Sequence, residues 1–172
     1  MIKLAKLRII MRRKSSKLSS VIPILYDSYI AFIKNSVGSR LFRNFYARVD
    51  NKKRDVLKNG ELSCAIFVSS ILVMFNLLQR IHGTVTGTVK DLKESGWTQI
   101  KKPRLGSVII WEPKEFDKGD IHKHIGFYIG SKKAISNDSR LGYPIIHNWT
   151  FGSKNGKSGR KIETMFWNKK LG

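Results

Sequence analysis

Acidic residues and cysteine are both scarce in this 172-residue chain. Its one cysteine is Cys64, so an intramolecular disulfide and a Cys-rich metal site are both excluded. No run of about 18 apolar residues exists, so no transmembrane helix is expected. The first twenty residues contain no acidic side chain but seven basic ones. Lys6, Arg8, Arg12 and Arg13 interrupt their apolar positions, which argues against a cleavable secretory signal. Residues 1–20 read as a basic N-terminal arm, with Ile2, Leu4, Leu7, Ile9 and Ile10 offering a short membrane-surface helix as the alternative.

What the chain has in abundance is positive charge: 33 Lys and Arg against 12 Asp and Glu, formally +21. Residues 61–130 are nearly balanced, nine basic to seven acidic, whereas residues 131–172 carry nine and two. The excess at the ends predicts attraction to a polyanion: nucleic acid, anionic lipid or an anionic cell-wall polymer. Hydrophobic residues make up 41% of the chain, enough for a buried core, and residues 21–172 read as one domain.

The hydrophobic pattern changes along the chain. Residues 21–48 read as one or two helices broken near Gly38, and residues 50–60 as a polar loop. From Cys64 to Leu78 the sequence is apolar almost all round, which predicts a helix buried in the centre of a domain with Ser63 as N-cap. A second helix is expected over Thr88–Glu94, capped by Thr88 and stopped by Gly96. After Pro103 strands follow: Ser107–Glu112, His124–Gly130, Ala134–Ser136, Tyr143–Thr150 and Lys161–Trp167, with residues 113–122 a charged loop. Helices first and an antiparallel sheet second make an α+β domain.

Two residue types carry the chemistry. Cys64 opens the buried helix, where unpaired N–H groups and the helix dipole favour a thiolate, the nucleophilic form. Taken alone, a lone cysteine is more often a small core residue. His124 opens an alternating strand. Ile125, Phe127 and Ile129 face one way; His124, Gly126 and Tyr128 face the other, and Gly126 leaves room beside the imidazole. His122 and His124 form an H-x-H pair, but no third ligand follows at a metal-site spacing. His147 reads as a strand residue that simply packs, and His82 as a helix C-terminal residue.

Read in order, Ser63-Cys64-Ala65-Ile66-Phe67-Val68, Leu105-Gly106-Ser107-Val108-Ile109-Ile110-Trp111 and His124-Ile125-Gly126-Phe127-Tyr128-Ile129-Gly130 resemble the NlpC/P60 superfamily of papain-like cysteine peptidases and amidases, with its CHAP relatives. The resemblance covers about residues 60–137. Ser63 and Ser107 stand where the family often has Asp. It implies a papain-like fold, with N-terminal helices, including the one bearing Cys64, packed on an antiparallel sheet. It also implies hydrolysis of peptidoglycan amides: stem or cross-bridge peptides, or the N-acetylmuramoyl–L-alanine bond. Cys64 is then the nucleophile and His124 its base, and no metal or organic cofactor is needed.

The resemblance puts the third catalytic position on the strand after the His124 hairpin. Register favours Ser136. Chemistry favours Asn137, whose amide oxygen accepts an imidazole N–H as in Cys-His-Asn arrangements. Asn137 is the expectation, with Ser136, Asp138 and His147 as alternatives. The expected partner is peptidoglycan or an anionic wall polymer, and the expected place is the cell wall or outside the cell. Competing readings are a papain-like acyltransferase on another amide or lipid, and a non-catalytic basic protein binding nucleic acid or membrane. Against the last, no RRM, KH or helix-turn-helix signature is present.

Overall fold

The computed structural model describes residues 21–115, 121–154 and 157–172. The basic arm read over residues 1–20 lies outside them. The described chain is α+β: three α-helices and antiparallel sheets. Among the described residues no helix is long and apolar enough to cross a membrane.

Helix α1 spans Leu25–Asn35 and buries Tyr29, Ile30 and Ile33 at three- and four-residue spacing. The Tyr29 hydroxyl donates to the Gly106 carbonyl at 2.7 Å, which ties α1 to the sheet. Beyond α1 the expected helical region is turns and irregular chain over residues 36–45, and strand from Tyr46. Strands β1 (Tyr46–Val49) and β2 (Lys52–Asp55) pair antiparallel through Asp50 and Asn51, both at positive φ. Asn and Asp tolerate that conformation, so two polar residues read as loop make a tight hairpin turn instead.

Helix α2 spans Cys64–Met74 and α3 spans Val85–Glu94. The sequence had α2 running to Leu78. It stops earlier because Asn76 takes φ 54°, and Asn76 N donates to Val73 O while Leu77 N donates to Leu72 O. These two bonds make a Schellman stop with Asn in the glycine position. Helix α3 starts a turn before the expected Thr88, because Thr84 accepts from Gly87 N; the Thr88 hydroxyl instead donates back to Thr84 O. His82 is not at a helix end. It sits in the connection between the helices, with Nε2 2.8 Å from the Asp91 carboxylate.

The remaining strands are β3 (Trp97–Gln99), β4 (Val108–Glu115), β5 (Ile121–Tyr128), β6 (Lys133–Asp138), β7 (Tyr143–Asn148), the short β8 (Ser153–Lys154) and β9 (Lys157–Ser158), and β10 (Ile162–Asn168). The main sheet has the order β3-β10-β4-β5-β6-β7, every pair antiparallel. Both ends of the expected 113–122 loop are strand. The β4–β5 register shifts between Trp111 and Lys114, where Pro113 has no N–H to give the ladder.

One sheet face packs on the helices: Val108, Ile110, Ile125, Phe127, Ile135 and Phe166 form one core with Tyr29, Phe67, Val68, Ile71 and Leu72. Phe127 meets Tyr29 and Phe67 edge-on, with centroids 5.9 and 5.6 Å away. Each such pair contributes about 1 kcal/mol beyond its buried area. The opposite face carries a smaller cluster of Ile109, Trp111, Ala134 and Met165, with Tyr128 and Trp149 packed on it. Strand alternation puts His124 on that second face and Ile125 on the first, as the sequence pattern required.

Candidate active site

Cys64 comes up beside the chain that follows His124, where β5 and β6 part company. Their ladder runs only from Tyr128↔Ala134 to Gly126↔Ser136, while β6 stays paired with β7 as far as Asp138↔Tyr143. Ile125 is thereby left without a β6 partner, and its backbone N–H favours the ionised form of the Cys64 sulfur. The thiol is therefore beside the peptide that follows His124, although α2 and the imidazole belong to opposite sheet faces.

The turn before Cys64 is held in place from β6. Asn137 Nδ2 donates to Gly60 O at 2.7 Å. Gly60 itself lies against Gly142, so closely that a Cβ on Gly60 would stand 2.5 Å from the Gly142 Cα. Both glycines have positive φ, so a side chain is excluded on two grounds. Ser63 then caps α2 by position alone, for its hydroxyl makes no capping bond.

The N–H groups of Cys64, Ala65 and Ile125 and the Arg160 guanidinium all favour a thiolate. Burial outweighs them and pushes the thiol up to about 11. The expectation of a resting thiolate is thus corrected: the helix start supplies donors, but the sulfur is too poorly hydrated to ionise at neutral pH. His124 is neutral as well. Burial first, then the charges of Arg160 and His147, hold it down at about 3. At rest the Cys64 thiol is protonated and the His124 imidazole is neutral.

His124 Nε2 lies 2.8 Å from Ser136 Oγ, and Ser136 Oγ lies 2.8 Å from His147 Nε2. His147 Nδ1 in turn lies 2.7 Å from its neighbour's carbonyl, Asn148 O. Asn137, the expected third residue, takes no part. Strand alternation turns it to the helix side while Ser136 faces the imidazole. Gly126↔Ser136 pair in simple register, so nothing shifts Asn137 toward the imidazole. Asp138 is also occupied elsewhere, its carboxylate accepting from Arg140 N and Leu141 N in the next turn.

Aromatic rings wall this row in. The Trp111 ring is 5.5 Å from His124 and 5.7 Å from His147, and its Nε1 donates to Trp149 O at 2.6 Å. Phe151 stacks on His147 at 4.1 Å with an interplanar angle of 23°, and meets His124 edge-on. Arg160 is buried, with Nε donating to Glu112 O and an amino group donating to His122 O across the β4–β5 pair. So His122 contributes a backbone carbonyl here. Among the described residues no group of three or more His, Cys, Asp or Glu side chains could hold a metal.

Sequence reasoning missed Trp111, Phe151 and Arg160 as site residues. Trp111 was findable, since a hairpin register that pairs it with His124 puts both rings on one face. Phe151 and Arg160 arrive on an irregular connection with no periodic signal. Compared with known proteins, the chain matches no family model and no curated protein.

Proposed function

We propose that the chain is a cysteine hydrolase of the NlpC/P60 (CHAP-like) type with a papain-like arrangement, cleaving amide bonds in peptidoglycan. The observation that carries this reading is the meeting of the only cysteine, at a helix start, with the backbone of the residue after His124. The backbone N–H groups of Ile125, Ala65 and Cys64 itself all favour the ionised sulfur, which suits a nucleophile. The motif order of the sequence supports the substrate class.

In this reading His124 takes the thiol proton as Cys64 attacks the amide carbonyl. A sulfur–carbon bond forms and the carbonyl electrons move to oxygen. Backbone N–H groups at the helix start, including that of Cys64, stabilise the oxyanion. The imidazolium then gives its proton to the leaving amine as the carbon–nitrogen bond breaks. Water, deprotonated by the same imidazole, releases the acyl group. A neutral resting pair makes His124 a true general base rather than a spectator to a preformed thiolate. The basic surface concentrates the enzyme on anionic wall polymer, an attraction that salt weakens.

The test is digestion of purified peptidoglycan by the full chain, with mass analysis of released fragments, beside Cys64→Ala. New amine and carboxyl ends at one amide class, absent with Cys64→Ala, are expected. Intact peptidoglycan, or equal cleavage by Cys64→Ala, overturns the proposal.

A further inference from the structure

Building on the thiol–imidazole reading above, we propose that His147 is a positioning residue: acting through the Ser136 hydroxyl, it fixes the tautomer of His124 so that Nδ1 is unprotonated and faces the chemistry.

One fixed end sets every hydrogen-bond direction in the row. A carbonyl oxygen only accepts, so the 2.7 Å contact to Asn148 O puts a proton on His147 Nδ1. In a neutral imidazole the other nitrogen is then an acceptor. Burial lowers the pKa of His147, partly countered by the Asn148 carbonyl and the Asp138 charge, so the neutral form is the resting one. Ser136 has one proton, and His147 Nε2 takes it. The Ser136 oxygen is left to accept, and its other partner at 2.8 Å is His124 Nε2. That nitrogen must carry the proton of a neutral His124. The donors run in one direction: His124 to Ser136 to His147 to Asn148 O.

The same geometry gives the row a second state. If His147 gains a proton on Nε2, it donates to Ser136, and Ser136 turns its own proton toward His124 Nε2. The proton of His124 then moves to Nδ1 and the base is lost, with His124 still neutral. The groups facing His147 are the Ser136 hydroxyl, the Asn148 carbonyl, the Asp138 charge and the rings of Trp111 and Phe151. The His147 charge is also felt at His124.

The test is nitrogen-15 NMR of the imidazoles in the labelled full chain near neutral pH. Iodoacetamide labelling of Cys64 is measured in parallel and needs no substrate. Expected are His124 protonated on Nε2 and His147 on Nδ1. In Ser136→Ala and His147→Leu, His124 loses its single tautomer and labelling slows by at least about tenfold. His147→Gln places an amide oxygen near the former Nε2 and restores labelling to within about threefold. His124 protonated on Nδ1 in the unsubstituted chain overturns the proposal even if a variant fails to fold; so does unchanged labelling in folded Ser136→Ala. Correct tautomers without peptidoglycan cleavage would sink only the hydrolase reading. Cys64-dependent cleavage with the wrong His124 tautomer would sink only the relay.

Discussion

Asn137 Nδ2 donates to the carbonyl oxygen of Gly60 at 2.7 Å, joining the end of β6 to the turn that launches α2. The bond runs between a buried side chain and the residue four before Cys64. It braces the turn before the nucleophile without touching the imidazole. A residue expected to orient the base orients the helix start instead.

Asn137→Ala is therefore expected to act on stability. Losing a buried hydrogen bond costs about 1–2 kcal/mol. Chemical denaturation should show that loss, while turnover per folded molecule stays within about threefold. Ser136→Ala should do the reverse, with turnover down by at least about tenfold and substrate affinity spared. A large turnover loss in folded Asn137→Ala would contradict this division.

His124→Ala should abolish turnover, as should Cys64→Ser, whose hydroxyl is a poorer nucleophile at the same place. His122→Ala should be mild, because the bond His122 makes to Arg160 comes from its carbonyl, which alanine keeps. Measuring the three under identical conditions separates the roles. Equal losses at His122 and His124, together with inhibition by chelators, would point to a metal.

Much of this arrangement was legible in the order of residues. The all-round apolar run after Ser63 could only be a buried helix, and the alternation from His124 could only be a strand with His124 and Ile125 on opposite faces. The end of α2 was not legible, because Asn76 closes it by a backbone conformation that Asn adopts only in some contexts. Nor was the choice between Ser136 and Asn137. It depends on how the Gly130–Lys133 turn sets the β5–β6 register, and the turn adds no extra residue. The link from Ser136 to His147 needs a third strand, β7, so spacing along the chain cannot reveal it.

Acid should destabilise the fold through both histidines. In the unfolded chain each titrates near pH 6.5. In the folded chain burial holds His124 at about 3 and lowers His147 too. The unfolded state therefore binds protons first, so their contribution is complete above about pH 6.5 and is lost as pH falls toward 3. Denaturation midpoints from pH 7 to 4 should fall, and fall less in His147→Gln. A flat profile would contradict the buried neutral pair.

The thiol gives the opposite sign at high pH. An unfolded cysteine ionises near pH 8.5, whereas burial pushes Cys64 up to about 11. Folding thus loses stability as pH rises between those values. With a single cysteine, the absorbance difference between the chain and Cys64→Ala reports its thiolate alone. It should appear only well above pH 9, and a thiolate at pH 7 would mean a preformed ion pair.

Gly126→Ala tests the packing that holds the His124 strand against the Ser136 strand. A Cβ there would stand 2.5 Å from Ile135 O, 2.7 Å from Ser136 Cβ and 3.1 Å from the Trp111 ring. Two of these neighbours belong to β6 and cannot rotate away, so β5 and β6 must separate. Overpacking of this kind costs about 1–3 kcal/mol. The separation falls at the last rung of the β5–β6 ladder, where Ser136 meets His124. The variant should therefore unfold at lower denaturant and, while still folded, label Cys64 more slowly, because His124 has lost the hydroxyl that fixes its proton. Lowered stability with unchanged labelling would mean that the row of hydrogen bonds does not govern the reactivity of Cys64.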